Sequence, residues 1–324
     1  MTLLELIANV VYVSVLINDY CLLMKLFFRY NALIVIGCIV VLSCSRSPKA
    51  GVTTNTDSAF TFAFMSDIHL QPELNATTHF QNVIDTVNKL KTDFVLTGGD
   101  LVKDALAVKQ SRADSLFTLY TQEIKSFNVP VYNAIGNHDV FGIYKESGVS
   151  SDNTLFGKKM YEKYIGKRYY WFEHKGWKFF ILDVIDVSEP GKYKGNIDSV
   201  QLAWLKNEVA KTPVDMPLVV ACHIPLLTTL PQFENGALTP NTEGLVVENS
   251  KQILDAFAGH NLKLVLQGHL HILESVYIGG VQFIIDGAVS GKWWNGPNMG
   301  TKEGFVLLTM GKKDFSWKYI EYKI

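Results

Sequence analysis

The stretch Phe60-Thr61-Phe62-Ala63-Phe64-Met65-Ser66-Asp67-Ile68-His69 decides how this chain folds. Its first six residues are almost continuously apolar, as in a strand buried on both faces, and the run stops directly on an aspartate and a histidine. The same arrangement recurs four more times. Phe94 to Thr97 leads to Gly99-Asp100, Val131 to Ile135 to Gly136-Asn137-His138-Asp139, Leu218 to Cys222 to His223, and Leu262 to Gln267 to Gly268-His269-Leu270-His271. Strands of an open α/β sheet deliver functional side chains from their carboxyl ends, so five distant segments can converge on one crevice.

Between these runs the pattern alternates. Phe80, Val83, Ile84, Val87 and Leu90 recur at helical spacing within Thr77 to Leu90, and Leu116 to Phe127 repeats the theme before the third run. That order is βαβαβ, which implies parallel strands with right-handed crossovers. Further along, Tyr169 to Phe172 and Lys178 to Val184 read as paired strands around His174-Lys175-Gly176, and Ser199 to Val209 reads as a helix with Leu202, Leu205 and Val209 on one face. Val276 to Ile285 reads as a hairpin turning at Gly279-Gly280, and Phe305 to Met310 and Phe315 to Tyr319 as two closing strands. The expected class is α/β (α+β), with two mixed β-sheets flanked by helices in preference to one doubly wound sheet.

With 324 residues, 48% hydrophobic and 19% charged, the chain can bury one large core or two modest ones. No low-complexity linker divides the five blocks, so a single domain over residues 59–324 is expected. The formal charge of −1 argues against a polyanion-binding surface, and nucleic acid is not an expected partner. Cys21, Cys38 and Cys44 crowd the N-terminus and only Cys222 lies in the body, which excludes a disulfide framework.

Residues 1–43 read as a leader. Lys25 and Arg29 precede an apolar stretch from Ala32 to Leu42, followed by Ser43-Cys44 and a polar segment. The pattern resembles a bacterial lipoprotein signal peptide with Val41-Leu42-Ser43-Cys44 as lipobox and Cys44 as the lipidated residue; Cys38 is the rival position. Residues 1–23 read as an over-extended start ahead of Met24-Lys25, the alternative being a transmembrane helix or hairpin covering both apolar stretches. Residues 44–58, rich in Ser, Thr, Pro, Gly and Asn, are expected to be a flexible tether. Either reading ties the body to a membrane, and the lipoprotein one puts it in the cell envelope, outside the cytoplasm.

Two carboxylates, one carboxamide and four imidazoles (Asp67, Asp100, Asn137, His69, His223, His269 and His271) exceed the four ligands of one tetrahedral zinc but suit two divalent ions sharing a bridging group. Two aspartates and a bridging hydroxide supply three negative charges against four positive ones, so the site stays cationic. A phosphate ester docks on such a site, and the ions supply hydroxide near neutral pH. The absence of thiolates favours Mn, Fe or Zn over Cu(I).

The order Asp-x-His, Gly-Asp, Gly-Asn-His-Asp, His, Gly-His-x-His, spanning Asp67 to His271, resembles the calcineurin-like metallophosphoesterase superfamily. The resemblance implies a four-layer αββα sandwich with the metal site at the carboxyl ends of strands. It also implies that Asp67, His69 and His271 hold one metal, that Asn137, His223 and His269 hold the other, and that Asp100 bridges them. His138, oriented by Asp139, would protonate the leaving alkoxide or contact the phosphoryl group. The implied activity is metal-dependent hydrolysis of a small phosphomonoester or phosphodiester by a metal-bridging hydroxide. A non-catalytic binding scaffold on the same fold and a nuclease of the same superfamily are the alternatives.

Departures from subfamily patterns narrow this further. Purple acid phosphatases are similar in layout but carry Gly where His69 stands and Tyr where Lys103 stands. Serine/threonine protein phosphatases follow the bridging aspartate with Asp-Arg-Gly, whereas Asp100 is followed by Leu101-Val102-Lys103. The remaining likeness is to cyclic-nucleotide and glycerophosphodiester phosphodiesterases, which keep Asp-x-His and Gly-Asn-His-Asp, and to many monoesterases of unassigned substrate. For substrate contacts, Trp293 and Trp294 in a glycine-rich loop suit either the mouth of the site or core packing. Phe141 to Tyr164 is placed to form a cap, with Tyr144 and Asn153 as polar candidates. His79, His174 and His260 read as solvated or capping residues, and Asp186, Glu189 and Lys192 to Lys194 as a solvated loop.

Overall fold

Alternation along the first strand sets the layers. A computed structural model describes residues 59–187 and 191–322; the leader, Cys44, the tether and Glu189 lie outside the described residues. Strand β1 (Phe60–Met65) sends Phe60, Phe62 and Phe64 into one apolar core and Ala63 and Met65 into another. The first core lies between two sheets. It joins Phe94, Leu96, Val306 and Leu308 of one sheet to Trp177, Phe179, Val219 and Leu264 of the other. Phe62 stacks on Phe94 at 4.7 Å and meets Phe179 edge-on at 5.5 Å, and full burial of each such ring stabilises by roughly 1.5–3 kcal/mol.

The first sheet is built from the expected βαβαβ unit. After β1 come α1 (Ala76–Leu90), β2 (Phe94–Thr97), α2 (Gln110–Glu123) and β3 (Val131–Asn133). The three strands are parallel, with Met65 level with Thr97 and Thr97 level with Asn133. Helix α2 starts six residues before the expected Leu116, because its first turn is polar and carries no apolar period. Strand β3 is shorter than Val131 to Ile135: past Asn133 the chain turns toward the Gly136 loop.

Next come α3 (Lys159–Tyr164), β4 (Tyr170–His174), β5 (Trp177–Ile181), β6 (Ile185–Asp186) and β7 (Lys194–Gly195). They are followed by α4 (Ser199–Ala210), β8 (Pro217–Ala221), α5 (Leu230–Asn235), α6 (Ser250–Ala256) and β9 (Asn261–Gln267). The chain closes with β10 (Glu274–Ile278), β11 (Val281–Ile285), β12 (Gly304–Met310) and β13 (Phe315–Glu321). Sheet one runs β13-β12-β1-β2-β3 and sheet two β10-β11-β9-β8-β5-β4, each mixing parallel and antiparallel pairs. The hairpins turn where expected, at Lys175-Gly176 and Gly279-Gly280, all four residues having positive φ. Asp198 caps α4 by accepting from Gln201 N at 2.8 Å.

The outward strand residues share the second core with the apolar stripes of the helices, such as Phe80, Val83, Ile84 and Val87 of α1 and Leu205 and Val209 of α4. The result is the expected pair of mixed sheets flanked by helices. Among the described residues no helix is long and apolar enough to cross a membrane.

Candidate metal centre

Parallel strands that end level bring their following loops together, and here both sheets end at one place. Sheet one contributes Asp67 and His69 after β1, Asp100 after β2, and Asn137 in a 3-10 turn after β3. Sheet two contributes His223 after β8 and His269 and His271 after β9. The loops are laced by main-chain bonds: Asp67 N donates to Gly99 O at 3.0 Å, His69 N to Asp100 O at 2.9 Å, and Gly268 N to His223 O at 2.9 Å. Close approach excludes side chains at the intervening glycines. A Cβ on Gly136 would lie 2.1 Å from Asp100 N and Oδ1, and one on Gly268 would lie 1.9 Å from Ser66 Oγ.

The local backbone is strained where it delivers these side chains. Asp67, His69, Asp100, His269 and His271 all have left-handed φ, between 45° and 75°, at about 1–2 kcal/mol each for a residue with a Cβ. Such strain persists where surrounding structure over-determines it, and it clusters at functional sites. Here the lacing supplies that constraint. Ser290 Oγ donates to Asp67 O at 2.7 Å and Trp294 Nε1 to His69 O at 3.0 Å.

Two groups of acidic and imidazole ligand atoms form, Asp67 with His69 and His271, and Asp100 with His223 and His269. In each histidine one ring nitrogen faces a backbone carbonyl, which leaves the other nitrogen as a lone pair aimed inward. His223 Nδ1 faces Gly98 O at 2.8 Å, His271 Nδ1 faces Gly291 O at 2.5 Å, His269 Nε2 faces Gly244 O at 2.9 Å, and His69 Nδ1 faces Lys103 O at 3.4 Å. His69 Nε2 and His271 Nε2 then meet at 3.1 Å. Two neutral nitrogens so tautomerised repel unless a cation sits between them, and 3.1 Å suits two nitrogens each about 2.0–2.1 Å from one ion.

The second group repeats the logic with oxygen. His223 Nε2 lies 3.2 Å from Asp100 Oδ2 and 3.0 Å from Asn137 Oδ1. Asp100 Oδ2 is also 3.6 Å from His69 Nε2, so that one oxygen stands between the two groups. The Asn137 Nδ2 atom is buried without a partner. The donor set therefore fits two divalent ions.

Without ions, protons fill the same need. Burial disfavours the charged ring of His223, but Asp100 beside it outweighs burial and raises the imidazole to about 9. His271 is raised likewise, burial being outweighed by Asp67. Burial, reinforced by the neighbouring charge of His223, lowers His269 to about 4. A divalent ion held by these rings would take the place of the proton on His223.

The surroundings of His138 differ from expectation. Asp139 does not orient that ring. Its Oδ1 accepts from Leu101 N at 2.8 Å and Val102 N at 3.2 Å, and its Oδ2 from Gly136 N at 2.8 Å. It is a buried tie between the second and third loops. Burial, then repulsion from Asp100, raises its carboxyl to about 7 despite those donors. The carboxylate beside the His138 ring belongs to Asp104, whose Oδ1 lies 3.5 Å from Nδ1.

The tryptophan pair divides. Trp293 stacks on the His69 ring at 4.0 Å, meets His138 edge-on at 4.7 Å, and carries the Lys103 ammonium 3.7 Å above its own ring. It lines a cavity of ≈ 320 Å³ together with Asp100, His138, Tyr193 and His271. Trp294 is buried and pinned to the His69 carbonyl, so it has no place at the mouth. Tyr144 is half-buried outside this lining, and Asn153 bonds Gln110 and Leu155 instead; no residue of 141–164 lines the cavity. Sequence reasoning missed Tyr193, which lies within the loop read as solvated, and missed Asp104 and Lys292. Tyr193 is the only aromatic of that loop, which is the one signal that marked it.

Residues 60–273 match the family model described as calcineurin-like phosphoesterase. The chain belongs to that family. A relative from Psychrobacter arcticus, described as a probable cyclic nucleotide phosphodiesterase, is 24% identical over 193 residues, covering 60% of this chain and 62% of that one. One from Rhodococcus erythropolis with the same description is 23% identical over 230 residues, covering 67% and 66%. The chain thus spans just under two thirds of these relatives' lengths. Among solved structures, a dimetal phosphatase from Danio rerio superposes with TM-score 0.55 at 14% identity, covering 82% of this chain and 99% of that one. GAP50 of Plasmodium, described as the anchor in the inner membrane complex, does so with TM-score 0.51 at 14% identity, covering 82% and 85%. Both likenesses are of fold alone, and a fold hosts differing functions.

Proposed function

We propose that this member of the family is a dinuclear phosphoesterase acting on small phosphodiesters. The observation that carries the reading is the set of inward lone pairs described above, from seven side chains on five separated segments, with each imidazole locked through its other nitrogen. In this reading Asp67, His69 and His271 hold one divalent ion, Asn137, His223 and His269 hold the other, and Asp100 lies between them. When bound, such ions supply Lewis acidity and water ionised near neutral pH; the ligand set accepts Mn, Fe or Zn.

The protein's own groups do the rest. His138 lines the cavity with Nδ1 turned to Asp104, so its Nε2 is the atom that gives a proton to the departing alkoxide. Trp293 fixes the His69 ring and walls one side of the cavity. The descriptions of the relatives as cyclic nucleotide phosphodiesterases, and of one as a probable glycerophosphodiester phosphodiesterase, support diesters over monoesters.

Turnover of bis(4-nitrophenyl) phosphate by the metal-loaded chain tests the reading, and it should vanish in His223→Ala. His138→Ala should slow esters with poor leaving groups far more than those with good ones; an equal loss for both contradicts the proton-donor role. We further propose, from the leader pattern alone, that a single catalytic body over residues 59–324 is tethered through Cys44 to the outer side of a membrane. Cys44→Ser should release the protein from the membrane fraction, and retention there would argue against the anchor.

A further inference from the structure

A second cavity, of ≈ 310 Å³, opens beside the metal centre and is lined by Leu230, Phe233, Ile272, Leu273 and Met299. The same two chain segments build both cavities. His271 faces the metal cavity, and the Ile272 and Leu273 that follow it face the apolar one; Asn298 faces the first and Met299 the second. The segments are tied side by side, Asn298 Nδ2 donating to His271 O at 3.1 Å and Leu273 N to Thr301 Oγ1 at 3.2 Å. The two cavities thus adjoin along this paired strip of chain, and a substituent that leaves a phosphate at the metal centre over the strip meets the apolar cavity next.

The polar groups of that cavity are already engaged. Glu274, its one charged residue, accepts from Thr228 Oγ1, Thr229 N and Thr229 Oγ1, each at 2.6 Å. That clamp pins the start of α5, and in the same lining Phe233 is 83% exposed and Met299 54% exposed. Large apolar side chains gathered at the rim of a cleft mark a surface meant to be covered. The lining holds no cation, so a second phosphate has nothing to bind.

We propose that this cavity receives an alkyl or acyl chain on the alcohol side of the ester, so that the substrate is an amphiphilic, lipid-like phosphoester. The proposal rests on the phosphoesterase reading for the position of the phosphate. It predicts that chain length, and not base or sugar identity, sets affinity.

The test is calorimetric binding of monomeric n-alkylphosphonates, methyl to hexyl, to the full metal-loaded chain. Each of the first four added methylenes should tighten Kd by up to about fourfold. Phe233→Asp and Met299→Asp, at exposed positions the fold tolerates, should each flatten that series. A flat series in the unmodified protein overturns the proposal, as does binding that responds to vesicles of anionic phospholipid but not to monomeric hexylphosphonate. Hydrolysis of bis(4-nitrophenyl) phosphate in the same preparation separates the two claims. Turnover with a flat series removes only the apolar subsite, whereas a steep series without turnover removes the hydrolase and leaves the subsite standing.

Discussion

Replacing Asp139 with alanine separates two roles that one carboxylate could have. The residue accepts main-chain hydrogen bonds from Leu101, Val102 and Gly136 and is fully buried. Alanine leaves three buried N–H groups without an acceptor, at about 1–2 kcal/mol each once the lost bond and partial relaxation are counted. The cost is then about 3–6 kcal/mol, enough to lower Tm by on the order of 10 °C in a domain of this size. Because the tie joins the Asp100 loop to the Asn137 loop, metal content should fall with it. Asp104→Ala should behave differently, with Tm only a few degrees below the parent, since it leaves one part-buried amide, Leu106 N, without its acceptor, and with a selective loss on esters with poor leaving groups. Differential scanning calorimetry with leaving-group kinetics on both variants decides. An Asp139→Ala protein with unchanged Tm and the leaving-group signature of His138→Ala would refute the structural role.

Three further outcomes follow from the same geometry. Asp100→Asn removes the charge from the oxygen standing between the two ligand groups; elemental analysis should find fewer than two ions per chain, and full occupancy would contradict the shared position. Trp293→Ala deletes the stack on His69 and the edge contact on His138, worth about 0.5–1.5 kcal/mol each. Only the first contact touches a metal ligand, so metal affinity by competitive chelation should weaken by roughly 2- to 13-fold, and an unchanged value would mean that the indole positions nothing. Gly136→Ala places a Cβ 2.1 Å from Asp100, so the variant should lose both ions or fail to fold, and parent-like metal binding would show that the loops are looser than described.

Much of the scaffold was legible because it follows short-range rules. Buried parallel strands read as apolar runs, helices as stripes, and Gly279-Gly280 as a turn, and these stood within a few residues except at the polar start of α2, six residues early. Strand ends were not legible at β3, where the sequence stays apolar through Ile135 while the backbone has already turned to build the Gly136 loop, or at β5, which stops at Ile181 although the apolar run continues to Leu182 and Val184.

The sequence by itself determined the donor set: aspartate, asparagine and histidine, each just past an apolar run, a property of residue type and position along the chain. Only the tertiary structure decided what surrounds those donors, because that depends on which loops from two different sheets are brought within 4 Å of each other. Asp139 bonds three amides and not the neighbouring imidazole, Asp104 faces His138, and Trp293 and Trp294 point to opposite fates although they are adjacent. Tyr193 and the apolar cavity between Leu230 and Met299 exist only through contacts between segments far apart in the chain, and no local pattern encodes such contacts.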